Sequence, residues 1–168
     1  AGFSDSHGGL ISNFKSVVVG SKFTDGFNAT AGTGRAAFAG GWVSNFTNLI
    51  DYINIATTGL AANFGTLTSS RNGVAPMANH IRGLVAGGDT AGGVINVIEY
   101  ITIATTGNGT DFGDLLIAKT SAGGCASSSR GLICGAAAFT NDIEYVTIAS
   151  IGNAANFGDL TAAARPFS

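Results

Sequence analysis

One phrase is written three times in this chain, and that repetition limits the possible folds more than any other property of the sequence. In its middle copy it reads Ile98-Glu99-Tyr100-Ile101-Thr102-Ile103-Ala104-Thr105-Thr106-Gly107-Asn108-Gly109-Thr110-Asp111-Phe112-Gly113-Asp114-Leu115. The earlier copy begins Ile50-Asp51-Tyr52 and passes through Asn63-Phe64-Gly65 to Leu67. The later one begins Ile143-Glu144-Tyr145 and ends Phe157-Gly158-Asp159-Leu160. All three tyrosines of the protein, Tyr52, Tyr100 and Tyr145, hold the same place in it. Self-similarity at a period of about 45–48 residues is the mark of a repeat architecture, in which one small structural unit recurs and buries its faces against its neighbours.

A second marker keeps the same period. Arg35, Arg82 and Arg130 each open a short segment of apolar and small residues, which ends in Gly40-Gly41, Gly87-Gly88 and Gly135-Ala136. Each segment follows a turn and precedes a loop, the tyrosine strand, a Thr/Gly/Asn turn and the Phe-Gly strand. One unit therefore reads as four short strands joined by hairpins. The units are expected at about 27–68, 73–116 and 121–161, within one all-β domain over 27–168. Residues 1–26 read as an irregular N-terminal arm carrying one strand at Val17-Val18-Val19. Both alternating faces of Ile98–Ala104 carry apolar side chains, which predicts a strand packed between layers.

Composition fits close packing. Only 11% of the 168 residues are charged and 26 are glycine, so Thr, Ser and Asn supply most of the polar surface. A surface so poor in charge suits burial against other protein. The net charge of −2 and the absence of a basic cluster deny nucleic-acid binding its electrostatic footing. No apolar run reaches the length of a membrane span, so no membrane partner is expected. No signal-peptide pattern opens the chain, and the small residue Ala1 is compatible with removal of an initiator Met.

A strand ending in Gly-Gly, a loop, a hydrophobic–acidic–Tyr strand, an aromatic about a dozen residues later, then Leu and a basic residue make a layout that resembles the kelch blade. Phe64, Phe112 and Phe157 stand where kelch repeats usually carry Trp, and Arg71, Lys119 and Arg165 take the basic position after the fourth strand. The wording itself is similar to repeats in structural proteins of tailed bacteriophages, especially marine cyanophages. The resemblance covers about 27–165; Ala136 in place of the second glycine, and the N-terminal arm, depart from it. It implies about three four-stranded propeller blades. Propellers of this kind close with about six or seven blades, so three are expected to be completed by oligomerisation, with docking on another virion protein as a further route. A self-closed threefold β-prism or trefoil-like fold is the alternative.

The resemblance also implies a function. The expectation is a non-enzymatic structural component of a phage virion: a capsid decoration, collar or tail-fibre module, assembled in the host cytoplasm. Its partners would be its own copies and other virion proteins. The alternative is a propeller module that binds a host-surface glycan or receptor through variable loop residues such as Trp42, Asp89 and Phe139.

The recurrent residues have structural readings. Tyr52, Tyr100 and Tyr145, with Phe64, Phe112 and Phe157, are expected to pack the blades, since a sugar-binding platform need not recur in every unit. The acids Asp51, Glu99 and Glu144 are expected to bond backbone or a nearby arginine, such as Arg35, Arg82 or Arg130. Asp111 and Asp114 are weak calcium candidates whose spacing does not match an EF-hand loop. His7 and His80 lack the neighbours a zinc site needs, and no nucleophile elbow or dinucleotide fingerprint is present. No cofactor, metal or catalytic group is expected. Cys125 and Cys134 flank a predicted hairpin turn and are expected as two buried free thiols, with a cross-strand disulfide as the alternative.

Overall fold

The computed structural model describes residues 17–20 and 34–164. They form three four-stranded antiparallel sheets and no helix. The first sheet contains β1 (Val17–Gly20), β2 (Arg35–Trp42), β3 (Phe46–Asn54) and β4 (Ala62–Thr66), in that order across the sheet. The second contains β5 (Ala75–Ala78), β6 (Arg82–Ala86), β9 (Val97–Thr102) and β10 (Thr110–Asp114). A two-stranded hairpin, β7 (Asp89–Thr90) with β8 (Gly93–Val94), interrupts it between β6 and β9. The third contains β11 (Gly123–Ala126), β12 (Arg130–Cys134), β13 (Thr140–Thr147) and β14 (Ala155–Ala164). No sheet is closed.

The strand expected at Val17–Val19 exists, but it is not a separate arm. As β1 it pairs with β2 from Val17↔Phe38 to Gly20↔Arg35 and serves as the first strand of the first unit. That unit therefore begins before Phe27. The remainder of the expected arm, including His7, lies outside the described residues.

In each unit the fourth strand carries a β-bulge at the recurrent phenylalanine. The ladder shifts between Asn63 and Gly65, between Asp111 and Gly113, and between Asn156 and Gly158. A bulge bends its strand and re-aims the extra side chain. Phe64 and Phe112 thereby enter the two cores of the molecule. One core unites Ala37, Ala39, Ile50, Phe64 and Leu67 of the first unit with Val85 and Ile101 of the second. The other unites Met77, Leu84, Ile98, Phe112 and Leu115 of the second with Ile133, Val146, Ile148 and Ala154 of the third. The cores lie between sheets, so a strand such as β9 is buried on both faces, as its double apolar pattern predicts.

The first glycine of each Gly-Gly pair also has a steric cause. Gly40 and Gly87 adopt φ of 66° and 63°, and a Cβ there would run into the main-chain oxygen of Arg71 and Lys119. That close approach allows Gly41 N–H to donate to Arg71 O and Gly88 N–H to donate to Lys119 O. The segment after the fourth strand is thus tied back across its own unit.

Candidate functional site

The recurrent residues converge on the joint between one unit and the next, and that joint is built twice to one plan. Its first component is an ionic clasp. Arg71, in the segment after β4, forms an ion pair with Glu99 at the centre of β9, and both side chains are fully buried. Glu99 also accepts Thr68 N–H at 2.9 Å, and Arg71 donates to Val97 O. One period on, Lys119 lies 2.9 Å from Glu144 on β13 and also pairs with Asp142, while Leu116 N–H donates to Glu144 at 2.8 Å. In both joints the base comes from the earlier unit and the acid from the later one. Burial lowers the Arg71 pKa, an effect that the adjacent Glu99 carboxylate opposes.

The arginines expected to meet these acids do other work. The Arg35, Arg82 and Arg130 guanidinium carbons sit 4.8, 4.7 and 4.9 Å from the ring centres of Tyr52, Tyr100 and Tyr145, within cation–π range. Each tyrosine meets the phenylalanine of its own unit edge-on, with centroids 5.7 Å apart for Tyr52–Phe64 and 6.1 Å for Tyr100–Phe112 and Tyr145–Phe157. Arg35 then crosses the joint to donate to Ile103 O, and Arg82 does the same to Ile148 O. Glu99 and Glu144 bond backbone N–H groups, as expected, and Glu99 also meets an arginine; the difference lies in which base is met, Arg71 and Lys119 after the fourth strand rather than Arg82 and Arg130. The signal in the sequence is that acid and base recur in step, one period apart.

A turn docked onto a strand edge completes the joint. Gly107 N–H donates to Phe64 O, Gly109 N–H to Thr66 O, and Asn108 Oδ1 accepts Thr66 N–H at 3.0 Å. In the next joint Gly152, Ala154 and Asn153 make the same three bonds to Phe112 O, Asp114 O and Asp114 N. The glycine of the first two Phe-Gly pairs follows from this docking. A Cβ on Gly65 would strike the carbonyl of Gly107, and one on Gly113 would strike that of Gly152.

The remaining candidates lie apart from any shared site. Asp111, on β10, accepts Gly113 N–H at the bulge, and Asp114 lends its main chain to Asn153. Among the described residues no group of three or more His, Cys, Asp or Glu is placed to hold a metal ion. Trp42, Asp89 and Phe139 all lie at the second-to-third strand connections of their units. Trp42 is exposed and packs edge-on against Phe46, Phe139 is exposed with φ of 55°, and Asp89 is half-buried through paired main-chain bonds with Asn72. A depression of about 130 Å³ lies elsewhere, lined by Tyr100, Thr102, Thr105, Thr106, Gly107, Asn108 and Thr110. That is well below the roughly 300–1,000 Å³ of usual small-molecule sites.

Cys125 and Cys134 are free thiols, as expected, but they are not buried: Cys125 is exposed and Cys134 half-buried. Their positions explain the lack of a bond. Cys125 pairs with Leu132 and Cys134 with Gly123, so the thiols are diagonal neighbours on one face, farther apart than directly opposed residues. Among the described residues no helix is long and apolar enough to cross a membrane.

No protein-family model matches this chain, and no curated protein matches it either.

Proposed function

We propose that this protein is a non-enzymatic structural component of a tailed-phage virion, a capsid decoration, collar or tail-fibre module, whose three sheets act as kelch-like propeller blades. The observation that carries this reading is the joint built twice between units. The recurrent charged and aromatic residues are engaged in holding one sheet against the next, which makes the stack a rigid spacer. The scarcity of charge supports the same role, because such a surface loses little on burial against other subunits. Its partners are further copies of itself and other virion proteins, and it joins the particle in the host cytoplasm.

Antibody labelling of density-purified phage particles tests this reading. Gold particles at a fixed place on the capsid, collar or tail are the expected result. Presence in infected cells with absence from purified particles would overturn it.

A second reading, a module that recognises host-surface carbohydrate, draws on the exposed aromatic rings of Trp42 and Phe139 at strand connections. Stacking of a sugar ring on Trp42 predicts glycan-array binding that Trp42→Ala abolishes; no binding on an array of host-surface glycans would leave the structural reading alone.

A further inference from the structure

The two ends of the three-sheet stack carry the two halves of the joint seen inside it. At the far end, β14 repeats the edge that β4 and β10 offer to the next unit. Phe157 stands in the place of Phe64 and Phe112, yet it is 52% exposed where they are 3% and 2%. Cys125 stands in the place of Met77, which lies buried against Gly131 of the next unit, and is exposed. Gly158 keeps clear the space that the turn carbonyl fills at Gly65 and Gly113, and nothing comes within 4 Å of it. At the near end, the face of the first unit shows the opposite half. Ile55 is 54% exposed, whereas its counterparts Ile103 and Ile148, buried under the preceding unit, are 7% and 0%. The turn carrying Gly59, Leu60 and Ala61 stands where Gly107-Asn108-Gly109 and Gly152-Asn153-Ala154 dock, and Leu60 is 80% exposed.

From these complementary ends we infer that a second copy of the chain seats its first unit on the third unit of the first copy, by the same contacts, and that the pair closes head to tail in both directions. This rests on the blade reading above and names its partner and surface. The seam so formed would pair Gly59 N–H with Phe157 O, Ala61 N–H with Asp159 O and Arg130 with Ile55 O, on the pattern that Gly107, Gly109, Arg35 and Arg82 set inside the chain. A joint between unlike faces yields either a closed ring or an open filament. Propellers have about four to eight blades, and six is the one multiple of three in that range, so closure takes two copies.

Within the docked turn, the seam differs from the internal joints at one contact. Leu60 replaces the asparagine whose side chain accepts the strand amide, so Asp159 N–H gains no such partner. An exposed leucine opposite an exposed phenylalanine supplies apolar contact in its place. The seam is therefore the weakest of the joints, and it opens first on dilution.

Disulfide mapping and light scattering test this on the full chain, with Cys125→Ser and Cys134→Ser removing the native thiols. Leu60→Cys with Asp159→Cys, both exposed positions, should oxidise to a covalent pair of twice 16.7 kDa. The matched internal pair, Thr66→Cys with Asn108→Cys, should form its bond within one chain. The wild-type chain should scatter as a dimer and Phe157→Arg as a monomer with an unchanged far-UV spectrum. Leu60→Asn should tighten association about two- to tenfold at each seam, the worth of one added hydrogen bond. A wild-type chain that stays monomeric at its highest soluble concentration overturns the inference. So does a ladder of cross-linked multimers, which would show an open joint. Association that ignores Phe157→Arg and yields no Leu60–Asp159 cross-link also overturns it, while leaving a structural role through another surface intact. Particle labelling reports on that role independently.

Discussion

The Arg71 guanidinium, supplied by the segment after β4, is neutralised by the Glu99 carboxylate at the centre of β9, and neither group reaches solvent. Neither unit satisfies its own buried charge; the first lends the cation and the second the anion. Removing one partner of such a pair strands the other, which costs about 3–5 kcal/mol, more than the pair is worth against an apolar replacement. Arg71→Met and Glu99→Leu should each lower the unfolding free energy from urea titration by that amount. The double variant should be less destabilised than the sum, since no charge remains stranded. Additive losses would show that the two groups are not coupled.

Phenylalanine at one repeat position should have two very different values. Phe112 is packed among residues of the second and third units, and Phe112→Ala should cost about 3–5 kcal/mol. Phe157 is half exposed within one chain. At a protein concentration low enough to hold the chain monomeric, Phe157→Ala should cost no more than about 1 kcal/mol. Equal losses would mean that the third unit carries a cover over its outer strand already.

The docked turns make a steric prediction. A methyl group at Gly65 would meet the Gly107 carbonyl, so Gly65→Ala should destabilise by about 1–3 kcal/mol as the turn is pushed off the strand. Gly107→Ala is the control, because a Cβ there meets nothing within 4 Å. Its unfolding free energy should stay within about 0.5 kcal/mol of the parent. Amide exchange at Gly109, which donates across this joint, should quicken in the first variant and not in the second.

Burial raises the Cys134 pKa above its usual 9.0, with Cys125 adding to the effect and Lys119 opposing it. The folded chain therefore holds this proton more tightly than the unfolded chain. The stability contributed is fully present below the ordinary thiol pKa and is lost as pH rises through the higher folded value. Unfolding midpoints should fall in that alkaline window for the parent and fall less for Cys134→Ser. An identical decline in both would assign it to other groups.

Much of this was legible in the chain. The threefold phrase gave the four-strand unit, and the double-faced apolar pattern around Tyr100 gave burial between layers. The pairing of Glu99 with Arg71 was harder to see, because proximity across units depends on how far one sheet is rotated against the next, which no residue spacing encodes. Arg82 lay nearer in the pattern but was drawn to the Tyr100 face. The first strand lies where the sequence places it, but its membership of the first unit is hidden, because the long interval between Val17–Gly20 and Arg35 breaks the period that marks the other hairpins. The exposure of Cys125 is not written in its spacing: its counterpart Met77 is covered by Gly131 of the following unit, whereas Cys125 is exposed.

The division of each buried ion pair between two units also governs how a gene of this kind can change length. Duplication or loss of one whole period leaves every surviving base facing an acid and every turn facing a strand edge. A cut inside a period leaves a cation in the core with no anion, at a cost to folding of about 3–5 kcal/mol. Growth by whole modules, with register enforced by charge, is the inheritance pattern that the clasp between Arg71 and Glu99 imposes.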